Sequence, residues 1–401
     1  MYTAYTNKNI DNQIDAHMQS ISHKLSNILG DDLYSIVLTG GFGRGEGSIL
    51  INTIDNKDTV KIINDYDFEI VYKSYIGELP GKIYMKLKYA KKISQLETEL
   101  ANEIDIKQLD FTLKSLTSYK SDNHPKLADY DTKYGHIIIY GDNDPTLLMP
   151  QYNASDIPPF EGSWLLRNRG IGLLLAYFYL AREKTPDCQA TDNFYIEINK
   201  ALLAMGDALF ILYKNYHHSY QQRLDTIDEL LKNSTFSRIS ELIKFYKIAA
   251  EHKLRPKDNT FDNFEVTELW NLVVNLYIDL FIYYESERFN TKFKDLNDYV
   301  SQAPIKATLS TKNKLRLLFE LITKKIKLDN IALASVIRDK SINLGFTMSL
   351  LAILHNEKKY ENLTNNVKKY SDLPDTNCIE ISKRYLLLSH PSGELQRFLN
   401  K

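Results

Sequence analysis

Apolar residues recur at Ile10, Ile14, Met18, Ile21, Leu25 and Ile28. Steps of three and four predict an amphipathic helix, and Gly30 ends it. A short apolar strand, Tyr34–Thr39, then runs into Gly40-Gly41-Phe42-Gly43-Arg44-Gly45-Glu46-Gly47-Ser48. Ile49 to Ile63 is mixed, with Asn52, Asp55, Asn56 and Asp58 as turn formers, and reads as a loop or a small hairpin. A second strand, Asp65–Tyr72, follows. Pro80-Gly81 marks a turn, and Lys82 to Glu103 reads as a long charged helix. Ile104-Asp105-Ile106-Lys107-Gln108-Leu109 alternates apolar and polar residues as a half-buried strand does. His136–Tyr140 is a further short strand, closed by Gly141-Asp142-Asn143-Asp144-Pro145.

The pattern changes where Pro150, Pro158 and Pro159 interrupt the chain between Met149 and Phe160. A domain boundary is expected there. Beyond it helical periodicity dominates: Gly162–Glu183, Asn193–Asn215, Arg223–Lys232, Ser237–Glu251, Glu265–Ser286, Lys312–Lys327, Asn330–Asn356 and Ile379–Ser389. A weaker boundary falls at Ser301–Ser310, around Pro304. The expected organisation is an α/β N-terminal domain with a mixed sheet, residues 1–155, followed by an all-α region divided into 156–300 and 301–401.

Composition narrows the class. The 401 residues are 43% hydrophobic and 25% charged, ordinary for a soluble globular protein. A formal net charge of −1 supplies no global field to attract nucleic acid. The N-terminus is polar and lacks the apolar core of a signal peptide. The apolar stretch Ile171–Ala181 is too short to cross a bilayer, and Leu269–Tyr284 is interrupted by Asn271, Asn275 and Asp279. Cys188 and Cys378 lie far apart and form no metal-spaced pair. A reduced, cytoplasmic protein without a membrane partner is expected.

Asp65 and Asp67 stand two apart on a predicted strand, so both side chains share a face. Two close carboxylates repel unless a cation lies between them. Mg²⁺ suits the pair because it takes hard oxygen ligands and shares them with substrate phosphates. A third carboxylate would serve a site with two ions. Asp105 is the candidate, between core-facing Ile104 and Ile106, with Asp110 as the rival. The glycine stretch has neither the Lys-Ser/Thr ending of a P-loop nor Gly-x-Gly-x-x-Gly spacing. Its flexible residues can still present backbone N–H groups to an anion. Arg44 and Ser48 could add phosphate contacts, and Glu46 could hold Arg44 or approach the metal.

Leu38-Thr39-Gly40-Gly41-Phe42-Gly43-Arg44-Gly45-Glu46-Gly47, followed by Asn64-Asp65-Tyr66-Asp67, resembles the signature of the polymerase-beta-like nucleotidyltransferase superfamily. Small-molecule nucleotidyltransferases such as the kanamycin enzyme belong to it. The resemblance covers about residues 30–145. It implies that Gly40 and Gly41 contact a triphosphate, that Asp65, Asp67 and Asp105 bind metal, and that Asp105 helps activate an acceptor hydroxyl. It also implies a basic residue from the helical region; Lys200 is the candidate, with Asp207 on the same face and Arg167 and Arg169 as alternatives. The interval from Gly41 to Asp65 is longer than usual, as an insertion within Ile49–Ile63 would explain.

The expected activity is Mg²⁺-dependent transfer of a nucleoside monophosphate from a nucleoside triphosphate, ATP first, to a small-molecule hydroxyl, in a cleft beside the helical domain. Alternatives are a tRNA- or protein-modifying nucleotidyltransferase and a non-catalytic nucleotide-binding regulatory or interaction protein. His217-His218 has no ligand partner at helical spacing. The basic run Lys312, Lys314, Arg316, Lys324, Lys325 and Lys327 reads as a solvated helix face.

Overall fold

A computed structural model describes residues 1–5, 7–54, 57–63, 65–73, 78–106, 109–120, 125–180, 188–257, 260–261, 264–302, 314–316, 318–319, 330–373, 376–390 and 393–400. Residues 303–310 of the expected Ser301–Ser310 boundary and most of the expected helix Lys312–Lys327, including Lys312, Lys324, Lys325 and Lys327, lie outside these residues, as does Asn64 of the motif. The chain forms two compact units. The first comprises Met1–Pro158, Tyr213–Leu230 and Lys247–Thr260; the second comprises Pro159–Leu212, Leu231–Tyr246 and Phe261–Lys401.

The first unit opens with helix α1 (Lys8–Leu29), whose Asn7 side chain accepts from the Asn9 N–H. Strand β1 (Leu33–Thr39) follows, then a single helical turn, α2 (Gly40–Gly43). The mixed segment is a hairpin of β2 (Ile49–Ile54) and β3 (Lys57–Ile62), paired antiparallel. Next come β4 (Tyr66–Tyr72), α3 (Glu78–Glu103), β5 (Leu109–Ser115), α4 (Leu127–Tyr134) and β6 (Ile137–Tyr140). The main sheet has four strands in the order β5-β4-β1-β6. β1 pairs antiparallel with β4 and β6, while β4 and β5 run parallel, so the sheet is mixed.

Strand alternation separates the two faces of this sheet. Ile36 and Leu38 of β1, Tyr66, Phe68 and Ile70 of β4, and Leu109 of β5 join one buried core. The stripes of α1 (Ile14, Met18, Ile21) and α3 (Tyr89, Ile93, Leu96) belong to the same core. The intervening positions, among them Thr39, Asp67, Glu69, Asp110 and Thr112, fall on the opposite face because successive side chains alternate.

One strand differs from the sequence expectation. Ile104, Asp105 and Ile106 are not part of β5. α3 runs on to Glu103, and Asp105 takes a left-handed backbone, φ 50°, in the turn that follows. The strand begins at Leu109, where the same alternation continues through Phe111 and Leu113.

The second unit is helical. It contains α5 (Pro159–Leu180), α6 (Cys188–Leu212), α9 (Val266–Phe289) and α10 (Leu296–Gln302). α9 is apolar around much of its circumference and correspondingly buried. Trp270 and Tyr277 on it donate to the Leu173 and Leu166 carbonyls of α5 at 3.0 and 2.6 Å. Gly206 of α6 packs against the Tyr246 ring, the close approach its position inside an apolar helix suggests. The helix expected over Asn330–Asn356 is two, α11 (Ile331–Arg338) and α12 (Lys340–Asn356). Asp339 between them is extended, and its carboxylate accepts the Ile342 N–H at 3.2 Å. Three further helices, α13 (Glu361–Ser371), α14 (Cys378–Ser389) and α15 (Gly393–Asn400), follow among the described residues. No helix among the described residues is long and apolar enough to cross a membrane.

α7 (Tyr220–Leu231) and the end of α8 (Ile239–Leu254), although far along the chain, belong to the first unit.

Candidate active site

The polar sheet face gathers its carboxylates at one end. Asp67 stands opposite Asp110 in the parallel β4–β5 register and opposite Thr39 in the antiparallel β1–β4 register. Asp65, just before β4, completes a triad in which one oxygen from each of Asp65, Asp67 and Asp110 lies within 4.8 Å of the others. Such a set of hard oxygen donors could hold a metal ion. The third member is therefore Asp110 and not Asp105. The expectation for Asp105 fails because it rested on a strand that begins four residues later. Asp105 is exposed, outside the sheet and outside the triad.

The triad is electrostatically strained as it stands. Burial pushes the Asp67 carboxyl up to about 6, and the neighbouring charges of Asp65 and Asp110 push the same way. Lys253 and Arg44 oppose them and do not win. A cation among the three carboxylates would reverse that balance.

The glycines lie against this triad. Gly40 has φ +63°, and a Cβ there would come within 2.0 Å of Asp67 Oδ2. Any other side chain would displace the carboxylate, so Gly40 is needed for both backbone and space. The Thr39 side chain does not cap α2; its hydroxyl donates instead to the Asp67 carbonyl at 3.2 Å. The turn closes with the Glu46 N–H on the Gly41 carbonyl at 2.8 Å.

Lys253, from the last turn of α8, is the residue that sequence reasoning missed. Its Nζ lies 3.1 Å from where a Gly41 Cβ would stand. Dense surroundings drive its pKa down to about 8, with Arg44 adding to the fall while Asp65, Asp67 and Glu46 resist it. It adds a second cation, beside Arg44, to the glycine turn and the triad. No local pattern marks it: the turn meets it across 205 residues of chain, where Ser48 Oγ donates to the Lys253 carbonyl at 2.6 Å. Ser48 is 2% exposed. Its hydroxyl is committed to α8 in place of the phosphate contact expected for it.

Arg44 and Glu46 serve different partners. The Arg44 guanidinium contacts Asp131 of α4 at 3.4 Å and lies 5.6 Å from the Tyr220 ring centroid. Burial, the largest single influence, works against its charge, but Asp131, Tyr220 and Tyr216 together outweigh it and raise its pKa above the ordinary arginine value. Its buried Nε has no hydrogen-bond partner among the described residues. Glu46 reaches Arg44 only at 3.9 Å and is not a member of the triad. It caps a helix instead, accepting from Ser219 Oγ (2.6 Å), Tyr220 N (2.8 Å) and Gln221 N (3.0 Å).

An open cavity of about 560 Å³ extends from Gly40, Asp67 and Asp110 over the polar sheet face, walled by Arg44, Glu69 and Asp131 among others. Glu69 is held by the Tyr119 hydroxyl and by Lys114 at 2.5 Å. The cavity thus joins a candidate metal triad to a space of small-molecule size.

The remaining sequence candidates are not among the residues of the triad or of the cavity wall. Lys200 is in the second unit, where it faces Glu197 at 3.6 Å. Arg167 is buried there, donating to Asn343, Asn168 and Tyr385, and Asp207 accepts from Tyr246 at 3.1 Å. Arg169 is in the same unit. His217 and His218 stack at 4.3 Å, and burial holds both below the usual histidine range. Compared with known protein families, with curated proteins and with solved structures, the chain matched none.

Proposed function

We propose that the first unit is a nucleotidyltransferase of the polymerase-beta-like kind, moving a nucleoside monophosphate from a nucleoside triphosphate, ATP first, to a small-molecule hydroxyl. The observation that carries this reading is the placement of three carboxylates, Asp65, Asp67 and Asp110, against the glycine turn at Gly40. The acceptor oxygen forms a bond to the α-phosphorus, the bond from that phosphorus to the β-phosphate bridging oxygen breaks, and pyrophosphate leaves. Asp110, which borders the cavity, takes the hydroxyl proton.

Asp65, Asp67 and Asp110 would hold Mg²⁺, two ions in the full complex, which supply charge neutralisation at the phosphates. Gly40 and Gly41 leave room for the triphosphate to approach the backbone. Lys253 takes the role expected of Lys200, meeting phosphate charge beside Gly41. Arg44, whose side chain borders the cavity, is placed for a further charge contact. A cavity of about 560 Å³ favours a small acceptor over a tRNA end.

The test is thermal stability with each nucleoside triphosphate, with and without Mg²⁺, for wild type and Asp67→Asn. A ligand at a hundred times its Kd adds about 2.7 kcal/mol, a shift of a few degrees. A Mg²⁺-dependent shift that Asp67→Asn loses supports the reading. A shift identical in both proteins removes the triad from it. No shift with any triphosphate moves the weight to an interaction protein.

A further inference from the structure

Glu46 stands in a glycine turn yet spends its carboxylate on a helix that begins more than 170 residues later. The first backbone N–H groups of any helix lack intrahelical acceptors. In α7 these groups are accounted for: Glu46 takes those of Tyr220 and Gln221, and Ser219 Oγ takes that of Gln222 at 3.2 Å. A carboxylate there also meets the positive end of the helix dipole. Glu46 is 5% exposed, so the cap is made away from solvent.

The cap leads onward to Lys253. The Gln221 side chain, whose backbone Glu46 holds, accepts from Arg255 at 3.4 Å, directly beyond the end of α8. The Arg255 N–H continues that helix onto the Glu251 carbonyl at 2.7 Å. About two turns before Arg255, Lys247 pairs with Asp228 of α7 at 2.5 Å. From the other side, Ser48, two residues after Glu46, donates to the Lys253 carbonyl. The residue that places its ammonium at Gly41 is thereby gripped through its own carbonyl and through the helix beside it.

We propose that Glu46 is a positioning residue: by capping α7, and together with Ser48, it holds the end of α8 so that Lys253 faces the first glycines. This depends on the nucleotidyltransferase reading only for what Lys253 then does; the geometric claim stands apart from it. A cap with local effect alone would steady α7 and nothing else. A positioning role links three segments, the glycine turn, the start of α7 and the end of α8, so that loosening the first loosens the last.

Two measurements separate these roles. The first is hydrogen exchange by mass spectrometry on the ligand-free protein, comparing wild type with Glu46→Gln, Glu46→Ala and Ser48→Ala. The proposal expects faster exchange in Glu46→Ala not only at residues 219–223 but also at 40–48 and 247–257, with Glu46→Gln intermediate because its amide oxygen still accepts. Faster exchange confined to 219–223 overturns it. If Glu46→Ala does not fold, Glu46→Gln and Ser48→Ala carry the comparison.

The second is a double-mutant cycle on the Kd for ATP with Mg²⁺, using Glu46→Gln, Lys253→Met and the pair. The expected result is that Glu46→Gln weakens binding about tenfold in wild type and less than about twofold once Lys253 is gone. Equal effects in both backgrounds overturn the proposal. If the wild type binds no triphosphate, the functional reading fails, and the exchange experiment still decides the positioning claim.

Discussion

The two faces of the central sheet are built from the same strands and do opposite work. Tyr66, Phe68 and Ile70 of β4 point into the core with α1 and α3. Asp67 and Glu69, between them, face the cavity. The core face gains from burial of apolar surface. The cavity face loses by it, since burial and like charge raise the Asp67 carboxyl to about 6. Core packing on one side fixes the strand register, and the register then holds carboxylates together that would otherwise separate. Strain at the site is thus supported by packing on the opposite side.

Substitutions on the two faces should therefore separate stability from function. Asp67→Asn carries the largest expected effect on activity, a loss of at least about a hundredfold in nucleotidyl transfer, with metal-free stability unchanged or raised. Product formation and melting temperature, read on one sample, check both halves. Ile70→Ala should do the reverse, costing about 2–5 kcal/mol of stability while the rate per folded molecule is retained. Denaturant unfolding and an active-site titration would show it. Loss of transfer in proportion to stability in both variants would erase the distinction between the faces.

The pH dependence sharpens the same contrast. A carboxyl whose folded pKa lies above its unfolded value stabilises the fold at low pH, and that contribution is lost as pH rises from about 4 to about 6. The loss is at most about 3 kcal/mol. In metal-free protein, Asp67→Asn should gain relative to wild type across this window. Added Mg²⁺ should stabilise wild type above pH 6 and much less at pH 5, where Asp67 is protonated. A gain from Asp67→Asn that is the same at pH 4 and pH 7 would contradict this. Asp105→Asn and Lys200→Met should change transfer and nucleotide affinity by less than about twofold, whereas Lys253→Met should weaken nucleotide binding about tenfold or more; titration of all three against one triphosphate tests the set.

Much of the sheet was legible because period-two and period-3.6 patterns are local. α1, β1 and β4 fall where their apolar spacing puts them, and two-residue spacing gives Asp67 and Glu69 a common face. Asp105 misled for the same reason that Asp67 informed: a short alternating run reads as a strand whether or not it pairs. Here α3 ends only at Glu103, and the alternation becomes a strand from Leu109. The continuation Leu109, Phe111, Leu113 was the signal that could have favoured Asp110. Lys253 gave no comparable signal, because its place depends on contacts made between segments far apart in the chain. Glu46 was visible but ambiguous; an acidic residue beside glycines does not reveal that its partners are Ser219, Tyr220 and Gln221.

The central claim is that Asp65, Asp67 and Asp110 hold a divalent ion that places a triphosphate at the glycine turn. The most direct test is a crystal structure with Mn²⁺ and a non-hydrolysable ATP analogue, using the anomalous signal of the ion. The expected result is Mn²⁺ within about 2.0–2.3 Å of oxygens from all three aspartates, bridging to phosphate beside Gly40, Gly41 and Lys253. An ion bound away from the triad, or a triphosphate seated elsewhere with these carboxylates vacant, would contradict it.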